Sequence, residues 1–234
     1  MNNNDYFNDF FKESRYNDDF GYNPIWNKEV NKWLELVHKI NEKYYEIGKT
    51  DIKTREKRDA FLGEIKSIYY CHKVLKGENF RIGIKELIDF EYQKNGQKFF
   101  VEVKSPSWQG EILKDDKLSK EQKLIRKNKK QYINGEGGWF SAKAAIEDSI
   151  KNSIHKFKKS EHNILMIVPN MFAQIQGLQP WHIQIIIDEE LKKQDKDYLI
   201  STIAILETEL SESNRKKKIE YPYSEYQRTA EHLK

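Results

Sequence analysis

A single cysteine, Cys71, excludes an internal disulfide framework, and beside an aromatic pair it is expected to pack as a small buried side chain. No apolar run approaches the roughly 20 residues that span a bilayer. The opening MNNNDYFNDF also lacks the basic and apolar regions of a signal peptide. A cytoplasmic setting without a membrane partner is therefore expected. The six histidines, His38, His72, His155, His162, His182 and His232, lack metal-ligand spacing and read as surface or packing residues. Gly135-x-Gly-Gly lacks the strand-to-helix context and the lysine of a phosphate loop, and reads as a hinge. No internal repeat, helix-turn-helix or zinc module is present.

The 234 residues are 38% hydrophobic, which supports one α/β domain with one good core. Charge is abundant at 33% but nearly balanced at +4, which permits a nucleic-acid partner without requiring one. Its distribution is uneven. Residues 1–30 carry Asp5, Asp9, Glu13, Asp18, Asp19 and Glu29 against Lys12, Arg15 and Lys28, a net of −3. Residues 112–132 carry eight bases (Lys114, Lys117, Lys120, Lys123, Arg126, Lys127, Lys129, Lys130) against Asp115, Asp116 and Glu121, a net of +5. Such a stretch is either a solvated helix or a phosphate-binding surface.

Periodicity outlines the organisation. Residues 1–28 show no clear period and read as an arm that packs only partly. A helix is expected over 29–46, on Trp33, Leu34, Val37, Ile40 and Tyr44, and a second over 54–72, on Phe61, Ile65, Ile68 and Tyr69. Glu64 projects from that second apolar stripe and so needs a partner, with Lys66 or a backbone donor as the structural option. Residues 106–139 read as a long insertion around a short basic helix. The spacing then predicts a helix over 141–159, a buried strand over 164–168 ended by Pro169, a helix over 181–193, where the Ile183, Ile185, Ile187 alternation would also suit a strand, and a last core strand over 199–206. Residues 29–210 make a single domain with its core at about 54–168, and 211–234 read as a loosely attached charged tail.

The most informative stretch is LIDFEYQKNGQKFFVEVKS, residues 87–105. Asn95-Gly96 is the strongest signal for a two-residue type I′ hairpin turn, and β-formers flank it on both sides. That register pairs residues whose numbers sum to 191, placing Ile88, Phe90, Tyr92, Phe99, Val101 and Val103 on one apolar face. It also sets Asp89 opposite Glu102 on the other face, with Lys98 and Lys104. Facing acids are destabilising unless one holds a proton or a divalent cation lies between them, and oxygen donors of this kind suit Mg²⁺ or Mn²⁺. In a solvated hairpin, Lys98 and Lys104 would instead simply neutralise the pair. Glu91, opposite Phe100, reads as a bystander.

Glu-x-Lys by itself is uninformative here, because Glu64-Ile65-Lys66, Glu121-Gln122-Lys123 and Glu190-Leu191-Lys192 match it too. In context, Ile88-Asp89 followed by Val101-Glu102-Val103-Lys104, with Glu64 on a preceding helix and a helix-strand unit afterwards, resembles the PD-(D/E)XK nuclease superfamily. The resemblance implies an α/β fold with a restriction-endonuclease-like αβββαβ core. Its mixed central sheet would be flanked by helices, with an added N-terminal helix and C-terminal extension. It further implies that Asp89, Glu102 and the Val103 carbonyl bind Mg²⁺, that Lys104 orients or activates the attacking water, and that Glu64 is the extra helix carboxylate. Ile88 replaces the family's proline, and a Gln-x-x-x-Tyr element on the second helix has no counterpart here.

The expected function is a Mg²⁺-dependent endonuclease acting on DNA, of restriction, phage-defence or repair type. Mn²⁺ is a substitute metal, and Lys123, Arg126, Lys127, Lys129 and Lys130 hold phosphates. The alternatives are a nucleic-acid-binding protein of the same fold that is inactive alone, and an RNA nuclease. A homodimer is compatible with either.

Overall fold

The computed structural model of the chain describes residues 5–11, 24–52, 54–83, 88–106, 135–159, 162–169, 179–195, 197–213 and 216–227. Four helices come first: α1 (Tyr6–Phe11), α2 (Pro24–Ile40), α3 (Glu42–Asp51) and α4 (Arg55–Lys73). The single helix expected over 29–46 is two, because Asn41 leaves the helical region. Its side chain accepts from the Tyr44 amide and caps α3. Thr54 caps α4 in the same way through the Lys57 amide.

Three strands follow, β1 (Glu78–Ile82), β2 (Phe90–Lys94) and β3 (Gln97–Lys104), then α5 (Gly135–Lys151), a 3₁₀ turn at Ile154–Lys156, and β4 (His162–Ile167). The chain continues through α6 (Pro180–Gln194), β5 (Thr202–Leu206), a β6–β7 hairpin (Glu209–Ser213, Lys216–Glu220) and β8 (Tyr223–Tyr226). Six strands form one mixed open sheet in the order β1-β2-β3-β4-β5-β8. β1 to β3 are antiparallel neighbours, β3, β4 and β5 run parallel, and β8 returns antiparallel to β5.

Helices cover both faces of the sheet, so its inner strands are apolar on both sides. Ile164, Met166, Val168, Ala204 and Leu206 join the core that α2 and α4 close with Trp33, Leu34, Ile65 and Ile68. Leu165, Ile167, Ile203 and Ile205 join the opposite core, which α5 and α6 close with Ile146, Ile150, Ile186 and Ile187. Cys71 is fully buried in the first core, and burial pushes its thiol far above the ordinary range.

Three expectations need correction. The N-terminal arm is anchored: Phe7, Phe10 and Phe11 of α1 are buried in the first core, and Phe10 stacks on Phe61. The C-terminal segment is part of the fold, because β8 is a sheet strand. Tyr221 also donates to Glu29 Oε1 at 2.5 Å and accepts from Trp33 Nε1 at 2.7 Å. These aromatic anchors alternate with charges, which hid them from a reading based on average polarity. Gly135–Gly138 is no hinge but the start of α5. The basic stretch 112–132, with Lys123, Arg126, Lys127, Lys129 and Lys130, lies outside the described residues.

Candidate active site

The hairpin register is as expected, from Lys94↔Gln97 through Phe90↔Val101. Asn95 and Gly96 both have positive φ, 52° and 78°, as a type I′ turn requires. Glu91 stands opposite Phe100 and pairs with Arg81 at 2.9 Å, so its role is structural.

The ladder stops one pair short of Asp89 and Glu102, and here the structure departs from expectation. Asp89 lies at a bend where its amide donates to the Val101 carbonyl at 3.2 Å. Its Oδ2 accepts from the Val103 amide at 2.6 Å. Asp89 thus brackets Glu102 by gripping the backbone on either side, instead of facing it squarely. The same bend carries Ile88 into the second core, away from Phe90 and Tyr92. Regular alternation could not foresee that reversal.

Glu102 alternates with the first-core residues Val101 and Val103, so it faces the side that α5 covers. It is 0% exposed, an expensive place for a carboxylate unless it is paired. Two ammonium groups meet its Oε1: Lys104 at 2.7 Å, and Lys156, from the 3₁₀ turn, at 2.6 Å. The second cation expected from a solvated hairpin was Lys98. Lys156 takes that place. Glu102 Oε2 is buried without a hydrogen-bond partner among the described residues.

Glu64 arrives from α4, close to the hairpin because Gly63 lets the helix approach. A Cβ at Gly63 would lie 1.8 Å from Ser105 Oγ, which would force the helix or Ser105 to move. Glu64 is partnered by the Tyr44 hydroxyl of α3. Lys66 is directed elsewhere: buried, it donates to Thr208 Oγ1 at 2.9 Å, and desolvation pulls its ammonium down to about 7.

Electrostatics tie these groups into one cluster. Burial, then the charge of Glu102, pushes Asp89 up to about 6, against the opposing Val103 amide. Burial, then the charge of Asp89, pushes Glu64 up to about 8, against the opposing Tyr44 hydrogen bond. At Lys156, burial works against the charge, but its bond to Glu102 and the nearby acids outweigh it and raise the ammonium. Glu64, Asp89, Glu102, Lys104 and Lys156 are thus brought together. Sequence reasoning missed Tyr44 and Lys156. Tyr44 read only as an apolar position of a helix, and Lys156 lies 52 residues beyond Lys104 with no motif around it.

Tyr44→Phe provides a direct check, since it keeps the ring stacked on Phe61 while removing the donor on Glu64. One such hydrogen bond to a charged group is worth about 1.5 kcal/mol, roughly one pH unit. A carboxyl ¹³C titration should show the Glu64 midpoint rising by about that much, with the fold intact.

Among the described residues, no group of three or more His, Cys, Asp and Glu side chains is arranged to hold a metal ion. No described helix is long and apolar enough to cross a membrane. Compared with family models, curated proteins and solved structures, the chain matches none.

Proposed function

We propose that the chain is a Mg²⁺-dependent endonuclease hydrolysing phosphodiester bonds in DNA, of restriction, phage-defence or repair type. One observation carries the reading: Glu64, Asp89 and Glu102 converge with Lys104 on one partly buried site. Among the described residues from α4 to β4, the order helix, three antiparallel strands, helix, parallel strand supports it, because the nuclease resemblance implies the same order.

The donor set suits a hard cation. Carboxylates are hard oxygen donors, Glu102 Oε2 is buried with no partner among the described residues, and burial followed by a neighbouring charge, Glu102 for Asp89 and Asp89 for Glu64, holds both acids above their ordinary range. Among the described residues no three of these side chains are placed as ligands, and Glu102 is held by Lys104 and Lys156; once Glu102 is released from them, Asp89, Glu102, Glu64 and the Val103 carbonyl would hold the ion. Bound there, it would acidify a water and neutralise charge on the phosphoryl oxygens. Lys104, whose side chain is 27% exposed, offers its ammonium to that water or to the phosphate. The Asp89–Val103 hydrogen bond keeps the acid against the strand that carries Glu102 and Lys104.

A second reading, a nucleic-acid-binding protein that does not cleave alone, is favoured by the two lysines that already neutralise Glu102. Incubation with plasmid, single-stranded DNA and RNA, in Mg²⁺ and in EDTA, separates the two. Metal-dependent cleavage of DNA supports the nuclease, cleavage of RNA alone moves the substrate class, and binding without cleavage supports the second reading.

Phosphate binding is also proposed for Lys123, Arg126, Lys127, Lys129 and Lys130. Neutralising them should weaken binding to all sequences alike and flatten the salt dependence on duplex DNA, each phosphate set free lowering the log–log slope by roughly 0.9. Unchanged affinity and slope would make the stretch a solvated segment.

A further inference from the structure

We infer that Lys156 is a second phosphate-binding lysine of the site, reaching the substrate phosphodiester beside Lys104. The inference rests on the nuclease reading above and adds a residue that no motif announces.

Lys156 enters from a separate element. The 3₁₀ turn at Ile154–Lys156 is held in place by Phe157, which is buried in the second core, and by Ser153, whose Oγ donates to the Ser149 carbonyl at 2.6 Å. The base of the side chain is therefore fixed relative to β4, which pairs with β3 beside Glu102. Its ammonium lies 2.6 Å from the same Glu102 oxygen that Lys104 approaches to 2.7 Å.

Two cations on one oxygen, while the other oxygen has no partner among the described residues, is a poor arrangement for simple neutralisation. One lysine is enough to balance one carboxylate, and a second donor would serve burial better on Oε2. The side chain of Lys156 is 32% exposed, and an ammonium carries three donors, of which Glu102 takes one. A phosphodiester reaching the partly exposed lysines above the buried Glu102 would meet two of them from different elements. A pair of ammonium groups on flexible stems suits a tetrahedral anion whose charge is spread over its non-bridging oxygens.

Lys156→Gln keeps a hydrogen-bond donor for Glu102 and removes the charge, whereas Lys156→Arg keeps the charge. The measurements are cleavage of a duplex oligonucleotide in Mg²⁺, salt-dependent binding of that duplex in EDTA, and thermal melting. The glutamine variant should drop about 10²-fold in kcat/KM. Its log–log salt slope should also fall by roughly 0.9, the equivalent of one phosphate. Arginine should restore both to within a few-fold. Wild-type cleavage and binding with a glutamine variant unchanged in slope, or altered only in its melting temperature, would overturn the inference and leave the nuclease reading standing. A wild type that neither binds nor cuts nucleic acid would overturn the reading beneath it, and the inference with it.

Discussion

Glu102→Gln should abolish cleavage, lowering kcat/KM by about a thousandfold or more, and Lys104→Ala and Asp89→Ala should do the same. On the proposed nuclease reading each removes a group that acts on the reacting phosphate or its cation, where a single electrostatic interaction is worth about 10²- to 10³-fold. Glutamine is the informative change at Glu102, because the side chain is fully buried and alanine would add a cavity to the missing charge. Circular dichroism on each variant shows whether the fold survives, and a time course on supercoiled plasmid in Mg²⁺ reads activity. Retained cleavage by all three folded variants would remove the assignment.

The second large effect is a change of sign in stability between acids of one cluster. Asp89 and Glu64 lie above their ordinary values of 3.8 and 4.5, at about 6 and about 8. The folded state therefore binds more protons than the unfolded state from about pH 4 to pH 8, and stability falls as pH rises through that window. Asp89→Asn and Glu64→Gln should each raise the melting temperature by a few degrees at pH 8 in EDTA, and by progressively less as the pH falls toward 4. Glu102 should behave oppositely, although a squarely facing acid pair would have made it equivalent to Asp89. Glu102→Gln leaves Lys104 and Lys156 close together without their counter-charge.

Breaking a buried pair costs about 3 to 5 kcal/mol, less here because both lysines are partly exposed. At roughly 2 to 4 °C per kcal/mol in a chain of this size, the melting temperature should fall by several degrees. Millimolar Mg²⁺ or Mn²⁺ should stabilise the wild type, by about 2.7 kcal/mol at a hundred times Kd, and do little for Asp89→Asn. Melts of the four proteins at two pH values, with EDTA and with metal, decide it. A metal-indifferent wild type together with a destabilised Asp89→Asn would mean that this cluster is a structural ion-pair network.

Much of the fold was legible locally. The Asn95-Gly96 turn set the hairpin register because both residues tolerate positive φ, and alternation over Phe90–Lys94 and Gln97–Lys104 admits only one pairing. α4, β4, α6 and β5 followed from apolar spacing within a residue or a few of their observed ends. The join between α2 and α3 was missed because Asn41 interrupts the helix without interrupting the apolar stripe.

By itself, the sequence determined the hairpin, the principal helices and buried strands, and the placement of Asp89, Glu102 and Lys104 on one short segment. These depend on periodicity and turn geometry, which act over a few residues. Only the tertiary structure decided who stands beside them. The bend at Asp89 replaced an acid-to-acid pairing with a grip on the Val103 amide. α3 brought Tyr44 to Glu64, and the turn before β4 brought Lys156 to Glu102. Tyr221 of a polar tail returned to anchor α2. Such interactions join residues 14 to 192 positions apart. The physical reason is that a buried carboxylate takes whichever donor the packing of distant elements brings within reach, and no local pattern encodes that choice.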